Sequence, residues 1–162
     1  MIDADTVFGA LKAAASRWPE KPFLNVLPET AGVYGIPAGE ITYGAMLGAV
    51  EAQIAAYRVA GVGKGMRIGL LVENRPVFFR HWFAMNALGA SVVPINPDLR
   101  SAELEYLIGH SEMSAAIVLE SRQVDVKAAA QAAGRVIPVI GPEEAMPRLA
   151  DAREEDAAPG ED

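Results

Sequence analysis

Arg67-Ile68-Gly69-Leu70-Leu71-Val72-Glu73-Asn74-Arg75-Pro76 passes from a continuous apolar run to a polar stop and then to a helix-opening proline. An apolar run bounded by polar residues suits a strand covered on both faces, because a strand with one wet face would alternate. Pro76 falls where a helix begins, since a missing amide proton costs little in the first turn. Phe78, Trp82, Met85 and Leu88 then recur as one apolar stripe, and Gly89 closes the helix before a short strand from Ser91 to Ile95. The unit is strand, helix, strand.

The same unit repeats toward the C-terminus. Ser101 opens a helix from Ala102 to Gly109, Ala115 to Leu119 reads as a strand, Gln123 to Ala133 as a helix closed by Gly134, and Val136 to Ile140 as a last strand. Pro138 has no amide proton, which places that strand at a sheet edge or at a bulge. Repetition of the unit predicts an α/β fold, a mainly parallel sheet with helices on both faces.

Toward the N-terminus, Val7, Ala10, Leu11, Ala14 and Ala15 fall on one stripe of a helix from Thr6 to Trp18, with Asp5 or Thr6 as its cap. Phe23 to Leu27 reads as a short strand, Pro28 to Gly39 as an irregular excursion, and Ile41 to Tyr43 as a return strand that completes a hairpin. Leu47, Val50, Ile54 and Tyr57 give the next helix, Gly44 to Ala60, a stripe to lay on the sheet. The expected organisation is an α/β subdomain over residues 1–142, with a small hairpin near 23–43, and an acidic connection or tail over 143–162. That tail includes a short helix from Glu144 to Ala150, and six of the twelve residues from Asp151 to Asp162 are acidic.

Composition narrows the function classes. A chain of 162 residues that is 51% hydrophobic can form one substantial core. Its formal charge of −7, from 14 basic and 21 acidic side chains, comes without a clustered basic patch, so nucleic acid is excluded as an expected partner. Cysteine is absent, which removes disulfides, thiolate nucleophiles and cysteine-ligated metals. The apolar runs fall far short of the roughly 20 residues that span a bilayer. No basic segment leads into an apolar signal core, so the expected location is the cytoplasm.

Candidate sites fare poorly on the same terms. Gly61-Val62-Gly63-Lys64-Gly65 lacks the spacing and the Ser/Thr of a phosphate loop, and it runs from a helix into a strand rather than the reverse. His81 and His110 have no ligand partner at helical spacing and read as packing or capping residues. Glu103 and Glu105 do not face one another on a helix, and Glu103 suits the positive end of one. Ser16, Ser101 and Ser111 show no nucleophile elbow. The residues alone thus predict no catalytic group and no metal site.

A resemblance carries the reading further. It rests on Trp18-Pro19-Glu20-Lys21-Pro22 after the first helix, Ile41-Thr42-Tyr43, the run from Gly61 to Ile68, Glu73-Asn74-Arg75-Pro76, and Leu88-Gly89-Ala90-Ser91-Val92-Val93-Pro94-Ile95-Asn96-Pro97, followed by Leu99 to Ser111 and Ala115 to Leu119. In this order the segments resemble the N-terminal part of the adenylate-forming (AMP-binding) enzyme superfamily, most of all acyl-CoA and aryl-CoA ligases such as long-chain-fatty-acid-CoA ligase. The resemblance covers about Val7 to Ile140 and implies that the phosphate loop and the motifs for adenine, magnesium and the catalytic lysine lie downstream of Asp162. It implies a parent enzyme that uses ATP and Mg2+ to turn a carboxylic acid into an acyl-adenylate and then transfers the acyl group to CoA. These residues would by themselves be inactive and would have the remaining portions of the same protein as partners.

Members of the CoA-ligase branch carry a basic residue after the Asn-Pro pair, where this chain has Asp98. Arg100 is therefore the candidate CoA-proximal cation, set against a reading in which Asp98 and Arg100 belong to a solvated turn. Two other functions compete: an amino-acid or aryl-acid adenylation domain that delivers its product to a carrier-protein thiol, and a stand-alone α/β interaction module.

Overall fold

The computed structural model describes residues 6–149. Helix α1 (Val7–Arg17) leads to strand β1 (Pro22–Val26), the short helix α2 (Pro28–Tyr34), strand β2 (Gly39–Thr42) and helix α3 (Tyr43–Val59). Then follow β3 (Arg67–Leu71), α4 (Pro76–Leu88), β4 (Ser91–Pro94), α5 (Ser101–Ser111), β5 (Ala115–Val118), α6 (Glu120–Ala132) and β6 (Val139–Ile140). The last four strands form one parallel sheet in the order β4-β3-β5-β6, and β1 pairs antiparallel with β2 as a separate hairpin.

Alternation along the strands divides the core. Ile68, Leu70, Ala115 and Ile117 face the layer made by α1, α3 and α4, where Leu11, Val50, Tyr57 and Met85 are buried. Leu71, Ala116 and Val118 face α5 and α6 through Leu104, Ile108 and Val126. A sheet covered on both faces needs apolar residues at every position of its inner strands, which explains the unbroken apolar runs of β3 and β5. The hairpin docks on the first layer through Phe23, whose ring centroid lies 5.3 Å from that of Tyr43 and 5.5 Å from that of Phe79.

The parallel sheet with helices on both faces agrees with the sequence, and several local expectations need correction. The excursion from Pro28 to Gly39 contains a helix fixed by its ends: Pro28 stands in the first turn, and Gly35, at φ 62°, supplies the left-handed cap. Ala31 is its buried residue, so no stripe announces it. In α1 the inward face is Phe8, Leu11 and Ala15, while Val7 and Ala10 are exposed. Ser101 lies inside α5, whose cap is Arg100, and α6 begins at Glu120.

Toward the end, β6 shrinks to Val139–Ile140 at the sheet edge. Pro138 accepts from the Ala116 amide at 2.9 Å but has no proton to return, and Val136 is fully exposed. The expected helix from Glu144 is absent over Glu144–Leu149, because Pro147 disfavours helical geometry at Met146. The acidic stretch 151–162 lies outside the described residues.

Helix α4 turns a different face inward than its largest side chains suggest. His81, Phe83, Ala84 and Met85 are buried, whereas Phe78, Trp82 and Leu88 are half-buried against the same core. The helix packs on α1 and α3 as well as on the sheet, so its inward surface is wider than one stripe and includes a histidine whose polar atoms are satisfied.

Candidate functional site

The chain leaves β3, forms β4 on one side, and returns through α5 to place β5 on the other side of β3. The carboxyl ends of β3 and β5 therefore flank a topological switch point, the place where open α/β sheets leave a crevice. A cavity of about 590 Å³ opens there, walled by Ile36 and Ile41 of the hairpin region, Met46 of α3, Arg75 and Arg80 at the start of α4, Leu119 after β5, and Pro142 and Glu143 after β6. Its lining is largely apolar.

Both arginines are tied down. Arg75 donates from Nη1 to the Tyr34 carbonyl at 2.7 Å, lies 4.7 Å from the Tyr34 ring centroid, and has Nη2 3.5 Å from the Glu73 carboxylate. Arg80 donates from Nη2 to the Pro142 carbonyl at 2.8 Å and to Glu143 at 3.1 Å. These contacts anchor the C-terminal end of α2 and the segment after β6, so the two cations organise the walls of the cavity.

Beside Arg80, His81 is 2% exposed and bridges two elements. Its Nε2 lies 2.9 Å from the Pro142 carbonyl and its Nδ1 2.5 Å from the Tyr57 hydroxyl. A carbonyl only accepts, so Nε2 carries the proton, Nδ1 accepts, and Tyr57 donates. Burial pushes the His81 pKa down to about 4. The hydrogen bond to Pro142 and the Glu143 carboxylate oppose that shift, and Arg80 adds to it. Burial raises the Tyr57 phenol well above its ordinary range, with Arg80 opposing. The pair stays neutral near pH 7.

The glycine run, His110 and Glu103 make local hydrogen bonds. Within the glycine run, the amides of Gly61, Val62, Gly65 and Met66 donate to the carbonyls of Arg58, Tyr57, Gly89 and Gly63. Amides already engaged in this way cannot cradle a phosphate. His110 contacts the Tyr106 carbonyl at 2.9 Å, and the Glu103 carboxylate accepts from the Arg100 amide at 2.8 Å. Among the described residues no group of three or more His, Asp or Glu side chains could hold a metal ion. The glycine run thus offers no phosphate cradle at its engaged amides, and no step of an adenylation is assigned to the described residues.

Arg100 is exposed at the start of α5, away from the cavity lining. The loop before it is held by side-chain hydrogen bonds. The Asp98 amide donates to Asn96 Oδ1 at 2.9 Å, and Arg122 donates to the carbonyls of Pro97 and Leu99. Sequence reasoning missed the cavity and the Tyr57–His81 pair. The available signal for the pair was a histidine among aromatic residues on a helix facing another helix with an inward tyrosine, since buried polar groups find partners.

Residues 11–161 match the family described as AMP-binding enzyme. The sulfoacetate–CoA ligase of Cupriavidus necator is 26% identical over 136 residues, which is 84% of this chain and 25% of that protein. The crotonobetaine/carnitine–CoA ligase of Salmonella enteritidis is 37% identical over 54 residues, 33% of this chain and 10% of that protein. The chain thus spans a quarter or less of these curated relatives. Among solved structures, the fatty acyl CoA synthetase of Mycobacterium tuberculosis superposes with a TM-score of 0.72 at 23% identity, over 96% of this chain and 28% of that one. That likeness shows the fold.

Proposed function

Because this chain belongs to the AMP-binding enzyme family, we propose that the whole protein is an ATP-dependent acid–thiol ligase that converts a carboxylic acid to an acyl-adenylate and then to an acyl-CoA. The observation that carries the reading is the likeness to sulfoacetate–CoA ligase, which extends over most of these residues rather than over one motif. ATP, Mg2+ and CoA are the implied cofactors. When bound, the ATP–Mg2+ pair supplies the activating phosphoryl chemistry and its charge neutralisation.

In this proposal the 162 residues are architectural. They provide a two-faced sheet and the walls of a switch-point crevice, while the groups that hold ATP and stabilise the transferring charge come from the rest of the protein. Arg100 is kept as a CoA-proximal cation because it is exposed and stands on a loop held by Arg122. The test is acyl-CoA formation by the whole protein over a panel of aliphatic, aryl and sulfonated acids. Transfer to a carrier-protein thiol in place of CoA would support the adenylation-domain alternative and reject the proposal.

A further inference from the structure

The two strands of the hairpin are joined by a segment that the core does not hold. Val26 and Gly39 are the last registered pair of β1 and β2, and between them residues 27–38 carry α2 out and back. No side chain of this segment enters the core on either side of the sheet. Ala31 is its one buried residue, Tyr34 and Ile36 are half-buried, and Leu27 and Val33 are exposed. A segment with so little buried contact opens more readily than the strands that carry it. Ile36, Pro37 and Ala38 nevertheless form part of the wall of the switch-point cavity.

One side chain fastens the segment. The Ala31 amide donates to the Leu27 carbonyl and the Ile36 amide to the Ala31 carbonyl, bonds that move with it. Among the described residues, the hydrogen bond that reaches it from beyond the hairpin runs from Arg75 Nη1 to the Tyr34 carbonyl, at 2.7 Å. That carbonyl ends α2, where the helix itself supplies no donor. The guanidinium also lies 4.7 Å from the Tyr34 ring centroid, so a charge-assisted bond and a cation–π contact act on one residue. Glu73 braces Arg75 in turn: its backbone sits in the left-handed region at φ 57°, and its carboxylate is 3.5 Å from Nη2. The clasp thus joins the turn that leaves β3 to a segment otherwise carried by its own hairpin.

We propose that residues 27–38 are a gate on the switch-point cavity, hinged where the hairpin ends at Val26 and Gly39 and closed by the Arg75–Tyr34 clasp. Gly39, at φ 119°, gives the hinge a backbone conformation that other residues rarely adopt. When the clasp parts, Glu73 still faces Arg75 and water takes the Tyr34 carbonyl, so opening strands no charge. Ile36, Pro37 and Ala38 then leave the wall, and Met46 of α3, 3% exposed with the gate closed, meets solvent. The gate stands on the local geometry and does not depend on the ligase reading.

Amide hydrogen exchange followed by NMR on the 162-residue chain reads the gate at Ala31 and Ile36, whose amides are bonded within it. Both are expected to exchange through a local opening that is insensitive to low guanidinium, whereas Ile117 of β5 exchanges only with denaturant-sensitive global unfolding. Arg75→Ala is expected to raise the opening constant at Ala31 and Ile36 about 10- to 100-fold, the loss of one hydrogen bond from a charged donor. The chain has no cysteine, so Met46→Cys supplies a single thiol on the cavity wall. Its reaction with a bulky maleimide is expected to follow the opening constant of the gate, and to quicken by the same factor when Arg75→Ala is added. The exchange in the unmodified chain and the thiol rate in Met46→Cys decide the question even where Arg75→Ala does not fold. Ala31 and Ile36 exchanging only with Ile117, no rise in a folded Arg75→Ala, or a thiol rate that follows global unfolding in place of the gate would each overturn the proposal.

Discussion

Gly69 on β3 and Ala116 on β5 are registered partners in close approach: a β-carbon on Gly69 would lie 3.3 Å from that of Ala116, tighter than an ordinary contact. The same atom would lie 2.9 Å from the Met113 sulfur and 3.1 Å from Ile95 Cδ1, both in the core beneath α5. A side chain at this position would require Met113 and Ile95 to shift.

Gly69→Ala is therefore expected to destabilise the chain by about 1–3 kcal/mol, the usual cost of overpacking a dense core. Urea denaturation measures it as a lowered midpoint with an unchanged slope. A loss under about 0.5 kcal/mol would mean that Met113 and Ile95 give way freely.

Tyr57→Phe removes the proton that His81 Nδ1 accepts and leaves a buried lone pair without a partner. The expected loss at pH 7.5 is about 1–3 kcal/mol, because an unsatisfied buried polar atom forfeits its hydration. Thermal unfolding of the variant beside the unmodified chain measures it. Equal midpoints would show that the hydroxyl contact contributes nothing to stability.

Sequence made some of this legible and concealed the rest. Arg67 to Val72 and Ala115 to Leu119 revealed their strands because a doubly covered strand has no wet face to interrupt it. Helix α2 stayed hidden because terminal residues define it, and β6 was overextended because hydropathy does not register which backbone protons are missing. The cavity depends on how the hairpin, α4 and the segment after β6 converge, and no local pattern encodes that convergence. His81 was correctly read as a packing residue, but its partner is 24 positions away on another helix.

Arg100→Ala in the whole protein is expected to raise KM for CoA several-fold while leaving KM for ATP and kcat largely unchanged, as loss of uniform binding to one anionic substrate requires. Steady-state kinetics with CoA varied at saturating ATP and acid checks this. An unchanged KM for CoA would return Arg100 to the role of an exposed helix cap.

ATP–pyrophosphate exchange, measured at one Mg2+ concentration on the 162-residue chain and on the whole protein, tests the central claim most directly. The account predicts acid-dependent exchange by the whole protein and none by the 162 residues, whose described part shows no cluster of three or more metal-ligating side chains and no phosphate cradle at the engaged amides of its glycine run. Exchange by the 162-residue chain, or a folded whole protein that activates no acid across a broad panel, would contradict it.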